Sequence, residues 1–128
     1  MTGRRPSWPQ ADRARLAAYT ARFNARDFDA LRDLLADEVQ VEVVNRTRLN
    51  GRGEVGRYFT NYGQIARLAA GPGLVDRRPA VLVHDPDDPR GAPLYFILLD
   101  WTGERLLKVR DFRYARYVTD GAELIDFR

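Results

Sequence analysis

The residues of this sequence best equipped for chemistry are few, and one carboxylate stands out among them. In the segment ending Leu106-Leu-Lys-Val-Arg-Asp-Phe-Arg-Tyr-Ala-Arg-Tyr117, the alternate positions Leu107, Val109, Asp111, Arg113 and Ala115 share a face. Asp111 therefore points where burial is expected. Such a carboxyl group either has its pKa raised and becomes an acid/base candidate, or is neutralised by a cation, for which Arg113 is the obvious neighbour. Asn45 follows Val39, Val41 and Val43 by strand parity, so it is either a strand-end hydrogen bonder or a pocket-lining amide. Tyr19 lies on the apolar stripe of a helix. A core aromatic with a satisfied hydroxyl and a catalytic phenol are the two alternatives there.

Other motifs carry less. Gly51-Arg-Gly-Glu-Val-Gly56 has the spacing of a dinucleotide-binding turn, but only strands follow its helix, and such a fold requires alternating strands and crossover helices. Gly51 and Gly53 read instead as loop and helix-opening glycines. The acidic loop Asp85, Asp87, Asp88 would need a bidentate Glu where Phe96 stands, so it does not match a calcium loop. His84 is the single histidine and cysteine is absent, which removes the usual zinc donor sets, thiolate nucleophiles and disulfides. No metal and no cofactor is expected.

These side chains must be positioned by one domain. The chain has 128 residues, 45% hydrophobic and 30% charged, enough apolar material for a core. No run approaches the ~20 apolar residues of a membrane span and no secretory signal opens the chain, which with the lack of cysteine fits a cytoplasmic location and no membrane partner. The 21 basic residues are interleaved with 18 acidic ones for a net charge of +3, an arrangement that argues against a nucleic-acid partner.

Residues 1–11, with Gly3, Pro6 and Pro9, read as a flexible leader, 12–118 as the domain and 119–128 as a tail. Helical spacing of Leu16, Tyr19, Thr20 and Phe23 predicts a first helix from Asp12 to about Asn24. Asp27 caps a second helix with Phe28, Leu31, Leu34 and Leu35 inward. Residues 38–43 alternate as a half-buried strand, and a third helix carries Val55, Tyr58, Phe59 and Tyr62 on one side and stops at Gly63. Strands are predicted at about 65–75, 78–85, 93–101 and 105–117, the last three as an antiparallel meander turned at Thr102-Gly103. Helices followed by a curled antiparallel sheet mean an α+β protein.

With that layout, the sequence resembles the nuclear transport factor 2-like superfamily in its polyketide-cyclase SnoaL-like branch. The resemblance rests on Tyr-Thr-Ala-Arg-Phe-Asn-Ala-Arg-Asp-Phe-Asp-Ala-Leu (19–31), Leu-Leu-Ala-Asp-Glu-Val (34–39), Asn-Gly-Arg before an apolar helix (50–62), Arg78-Pro-Ala-Val-Leu-Val and the segment 108–117. The closing stretch, with Gly121-Ala-Glu123, is most similar to the SnoaL-like C-terminal domain of extracytoplasmic-function sigma factors, whose promoter-binding domains have no room in this length. The resemblance implies a cystatin-like cone, three N-terminal helices packed on a curved antiparallel sheet around an apolar pocket. It also implies a homodimer, with the aromatics of strands 93–101 and 105–117 as the seam.

For the site, Tyr19 matches the oxyanion-donating tyrosine of ketosteroid isomerases of this fold, whose two acids would fall at Val43 and Phe96. Asp111 matches the last-strand Asp of limonene-type epoxide hydrolases, Asn45 their water-holding Asn and Arg78 their Arg, with Ala80 and Val43 where their second acid and tyrosine belong. SnoaL-type cyclases need a single carboxylate, which Asp111 alone supplies. The implied function is a cofactor-independent acid/base enzyme of cyclase, isomerase or hydrolase type. Asp111, Asn45 and Tyr19 are its catalytic residues, and Arg78, His84, Arg113, Tyr58 and Phe96 bind a hydrophobic small molecule. The alternative is a non-catalytic ligand-sensing domain like that of the sigma factors.

Overall fold

The computed structural model of the chain describes residues 10–127 apart from 66 and 89; the leader read over 1–11 lies outside them except for the first turn of α1. Three helices, α1 (Gln10–Asn24), α2 (Phe28–Arg32) and α3 (Gly51–Gly63), precede most of the sheet. The strands are β1 (Leu35–Val43), β2 (Thr47–Asn50), β3 (Ala69–Val75), β4 (Arg78–His84), β5 (Tyr95–Thr102), β6 (Arg105–Asp111) and β7 (Leu124–Asp126), with a short α4 (Arg116–Gly121) before the last.

Local chemistry accounts for the helical half. α1 ends with Arg26 in the left-handed region (φ 59°), where the Asp27 N–H reaches back to Arg22 O and the Arg26 N–H to Phe23 O. Asp27 then caps α2 through its own side chain, accepting the Ala30 N–H at 3.1 Å. The Asn24 amide brackets Ala70, donating to its carbonyl and accepting its N–H at 2.7 Å each, which pins the end of α1 to the start of β3. Val55, Tyr58, Phe59 and Tyr62 form the buried stripe of α3, as their spacing predicts.

The seven strands form one sheet in the order β2-β1-β6-β5-β4-β3-β7. Every pairing is antiparallel except β1 with β6, so the sheet is mixed rather than purely antiparallel. The hairpin strand β2, unmarked in the sequence pattern because its four residues are mostly exposed, covers the edge of β1. The last long strand is shorter than predicted. It ends at Asp111, and residues 112–115 turn into α4. An irregularity in the β5–β6 register between Asp100 and Trp101 puts Leu106 in the core with Val109, so strict alternation from Leu107 fails while Asp111 still falls on the core side.

The sheet is covered on both faces. α1, α2 and α3 close over Val39, Val41, Val81, Val83, Ile97 and Val109. On the other face Phe96 and Phe112 stack at 4.4 Å, with Leu82, Leu98 and Ala115 around them and Val118 and Ala122 of α4 packed alongside. Of the aromatics in 93–101 and 105–117, Tyr95, Phe96 and Phe112 are buried within one chain and Trp101 is half-buried, while Tyr114 and Tyr117 are the exposed large apolar side chains among the described residues. The stretch read as a tail is also structured, because β7 pairs with β3 through Gly73, Leu74 and Val75.

Gly73 permits that last pairing. A Cβ built there would sit 2.5 Å from the Ile125 carbonyl oxygen and 2.5 Å from Leu82 Cδ1. Gly73→Ala is expected to push β7 outward, cost roughly 1–3 kcal/mol in urea denaturation, and speed amide exchange at Ile125 and Phe127. Unchanged exchange at those amides would show that β7 does not depend on this close approach.

Candidate active site

Asp111 closes β6 between two neighbours, Val43 of β1 and Ile97 of β5, and its side chain is 1% exposed. A carboxylate in such a place must find donors, and α3 supplies them. Tyr58 and Tyr62, one helical turn apart on the buried stripe, both donate hydroxyl hydrogen bonds to Asp111 Oδ2, at 2.7 and 2.5 Å. The backbone N–H of Arg113 donates to Oδ1 at 2.9 Å, a local turn that the end of the strand makes possible. Tyr62 gives its single proton to Asp111, so the Tyr95 hydroxyl, 2.7 Å from that of Tyr62, is the donor of the next bond. The result is a relay, Tyr95 to Tyr62 to Asp111, joined by Tyr58.

Burial raises the Asp111 pKa above its usual 3.8, and the bonds from Tyr62, Tyr58 and the Arg113 N–H oppose that rise, with the Arg113 charge a smaller aid. The phenols are raised as well. Burial, reinforced by the Asp111 carboxylate, holds Tyr58, Tyr62 and Tyr95 well above the usual tyrosine range, so all three remain proton donors at any physiological pH. Tyr19 is fully buried behind them and is likewise raised by burial.

Buried Asp111 is the floor of a cavity of about 190 Å³ lined also by Tyr58, Asn61 and Tyr62 of α3, by Ile65 just past that helix, and by Val43 and Thr47. Arg46, Arg113 and Tyr114 stand at its rim. Among the described residues no group of three or more His, Asp or Glu side chains is arranged to hold a metal ion.

Of the residues picked from the sequence, the structure brings together Asp111, Tyr58 and Arg113, with Tyr19 close behind but outside the cavity lining. Arg113 is not the ion-pair partner expected of it: its backbone, not its guanidinium, binds the carboxylate, because the chain leaves the strand at Asp111 and parity no longer applies. Asn45 turns outward. It sits in the left-handed region (φ 69°) just past the end of β1 and donates to the Tyr117 hydroxyl at 3.3 Å. Arg78, exposed at the start of β4, faces Asp100 at 3.8 Å and lies on the strand parity of Ala80 and Leu82, away from Asp111. His84 shares that parity and is buried 3.4 Å from Asp126 of β7. Phe96 is stacked on Phe112 on the same far face. Sequence reading missed Tyr62, Tyr95 and Asn61 as site residues. The signal was a pair of hydroxyls at i and i+4 on a helix face opposed to a buried carboxylate.

The network makes a stability prediction. Tyr62→Phe removes one donor from a charged acceptor and leaves Tyr95 without its acceptor, at an expected cost of about 1.5–3 kcal/mol at neutral pH in urea denaturation. The Asp111 contribution itself has a sign. Its raised folded-state pKa makes the contribution full below 3.8 and progressively lost as pH rises through the folded value. Asp111→Asn lacks this dependence, so wild type should lose stability relative to the variant between mildly acid and neutral pH. A gap that is constant, or that moves the other way, contradicts the assignment.

No protein-family model and no curated protein matches this sequence. Solved structures do. A protein from a soil-derived mobile gene cassette aligns over 85% of this chain and 93% of its own with a TM-score of 0.61 at 18% identity. An NTF-2 like protein of unknown function from Burkholderia xenovorans LB400 aligns over 77% and 79% with a TM-score of 0.58 at 16% identity. The epoxide hydrolase/cyclase-like enzyme SalBIII, described for pyran ring formation in the polyether salinomycin, aligns over 79% and 88% with a TM-score of 0.56 at 18% identity. At such identities the likeness is one of architecture, and by it the chain has the cone fold of the nuclear transport factor 2-like superfamily.

Proposed function

We propose that this chain is a cofactor-independent acid/base enzyme that removes a proton from carbon beside a carbonyl in a small, largely apolar metabolite, with Asp111 as the base. The observation that carries the reading is a carboxylate, buried yet at the floor of a cavity, held by hydroxyl groups rather than by a cation. A salt bridge would lower its basicity. Burial raises it, and a base whose pKa is lifted toward the working pH transfers protons more effectively.

A carboxylate offers about four acceptor positions. Oδ2 spends two on Tyr58 and Tyr62, while Oδ1 holds only the Arg113 N–H and keeps a lone pair for substrate. The Asp111 carboxylate takes the proton, the C–H electron pair moves into the carbonyl as an enolate, and the Asn61 amide on the cavity wall donates to the enolate oxygen. This takes over the part expected of Asn45. Returning the proton to carbon completes an isomerisation or exchange; attack of the enolate on a second carbonyl closes a ring. The epoxide hydrolase/cyclase-like description of one structural neighbour is consistent with ring-forming chemistry in such a cone.

A second reading, a non-catalytic binding pocket, draws on the fact that the chain itself supplies three donors to Asp111, which would suit a permanently satisfied structural group. Proton exchange separates the two. With phenylacetone and phenylpyruvate in D2O, followed by proton NMR, the enzyme reading predicts carbon-proton exchange above the buffer rate. It also predicts a fall of about 10²–10⁴-fold in Asp111→Asn, and a rate that rises with pH through one ionisation above 3.8. Exchange that Asp111→Asn leaves intact, or none with either ketone, removes the catalytic reading.

A further inference from the structure

The rim of the cavity carries a feature that the base reading does not use. Two guanidiniums, those of Arg46 and Arg113, line it, and both lie against the ring of Tyr114, at 4.4 and 5.4 Å from its centroid. Some charged side chains near this end of the sheet are paired. Glu42 holds Arg48 and Arg110, and Arg67 meets Asp87. Neither Arg46 nor Arg113 makes an ion pair with an acid among the described residues, yet both come from different elements to one aromatic plane at one opening. Stacking on a ring fixes a guanidinium's plane while leaving its N–H edges open for a ligand.

From this arrangement we infer that the site takes a substrate bearing a carboxylate, a keto acid, bound with its anionic end between Arg46 and Arg113 and its reacting carbon toward Asp111. The inference rests on the base reading for the role of the floor and on the rim for the ligand's charge. Polarity fixes the orientation: the cavity is cationic at its mouth and anionic at its floor, and an anion driven against Asp111 would meet a like charge in a buried place. Guanidinium forks match carboxylate and phosphate alike; carboxylate is favoured because no glycine contributes to the lining the backbone cradle that a phosphate would use. The apolar Val43 and Ile65 of the lining accommodate the body of the molecule. Arg113 thereby has two separate duties, its backbone N–H on Asp111 and its side chain on the substrate.

The test compares binding of phenylpyruvate with that of its methyl ester, by chemical-shift titration of the intact chain, so that it does not depend on turnover. The acid is expected to bind about 10-fold tighter than the ester, an advantage that shrinks as salt is added. Arg46→Gln and Arg113→Gln should each cut that preference by about 3- to 10-fold, the worth of one partly exposed charge-assisted contact. Equal binding of acid and ester, a preference that survives both substitutions, or no binding of either overturns the carboxylate site. A carboxylate preference without proton exchange keeps the site and removes the base; exchange of phenylacetone with no carboxylate preference does the reverse.

Discussion

Everything at the open end of the cone depends on how one carboxylate is satisfied away from water. Asp111 sits where the sheet's core face meets the underside of α3, flanked by Val43 and Ile97. An ionised group there with no partners would be too costly to keep charged and would hold its proton. Two tyrosines of α3 and one backbone N–H change that balance without introducing a counter-charge. The same bonds fix the rotation of α3 about its axis, because Tyr58 and Tyr62 must both reach one oxygen atom. They also fix where β6 ends, because the Arg113 N–H can return to Oδ1 only if the chain turns immediately after Asp111. Val44 adds a further tie by donating its backbone N–H to the Asp111 carbonyl at 2.9 Å, joining β1 to the same point.

The remainder of the architecture keeps that point enclosed yet reachable. The apolar stripe of α3 and the core face of the sheet exclude water from the hydroxyl relay, and Phe23 packs edge-on against Tyr62 at 5.3 Å from beneath. The opposite face needs no second molecule for burial of Phe96 and Phe112, since α4 folds back over them. From Asp111 the cavity leads past Asn61 to the arginine-lined rim.

Most of this was legible where period and parity hold. The spacing of Val55, Tyr58, Phe59 and Tyr62 identified the buried face of α3, and the alternation through Val39 and Val41 identified the core face of β1. Legibility ended where regular structure did. Asn45 and Arg113 were assigned by counting in twos beyond the last strand residue, and both lie after a turn, where the count carries no information. Arg78, His84 and Phe96 were placed by likeness to other members of the fold, but their parity in β4 and β5 sends them to the far face. Tyr62 was read only as part of the helix stripe with Val55, Tyr58 and Phe59, and Tyr95 fell among the strand aromatics assigned to a dimer seam. Their hydroxyls became significant only once Asp111 was seen to lack a cation, a fact that depends on the length of β6 to the residue.

The central claim is that Asp111 is a carboxyl group whose basicity is raised by burial and tempered by tyrosine hydroxyls. Its side-chain carbonyl carbon reports this directly. In a 13C NMR titration of the intact protein the Asp111 Cγ resonance should titrate with a midpoint above 3.8, and Tyr62→Phe should move that midpoint further upward, since the stronger of the opposing bonds is lost. A midpoint at or below 3.8, or one that Tyr62→Phe leaves unmoved, would contradict the account.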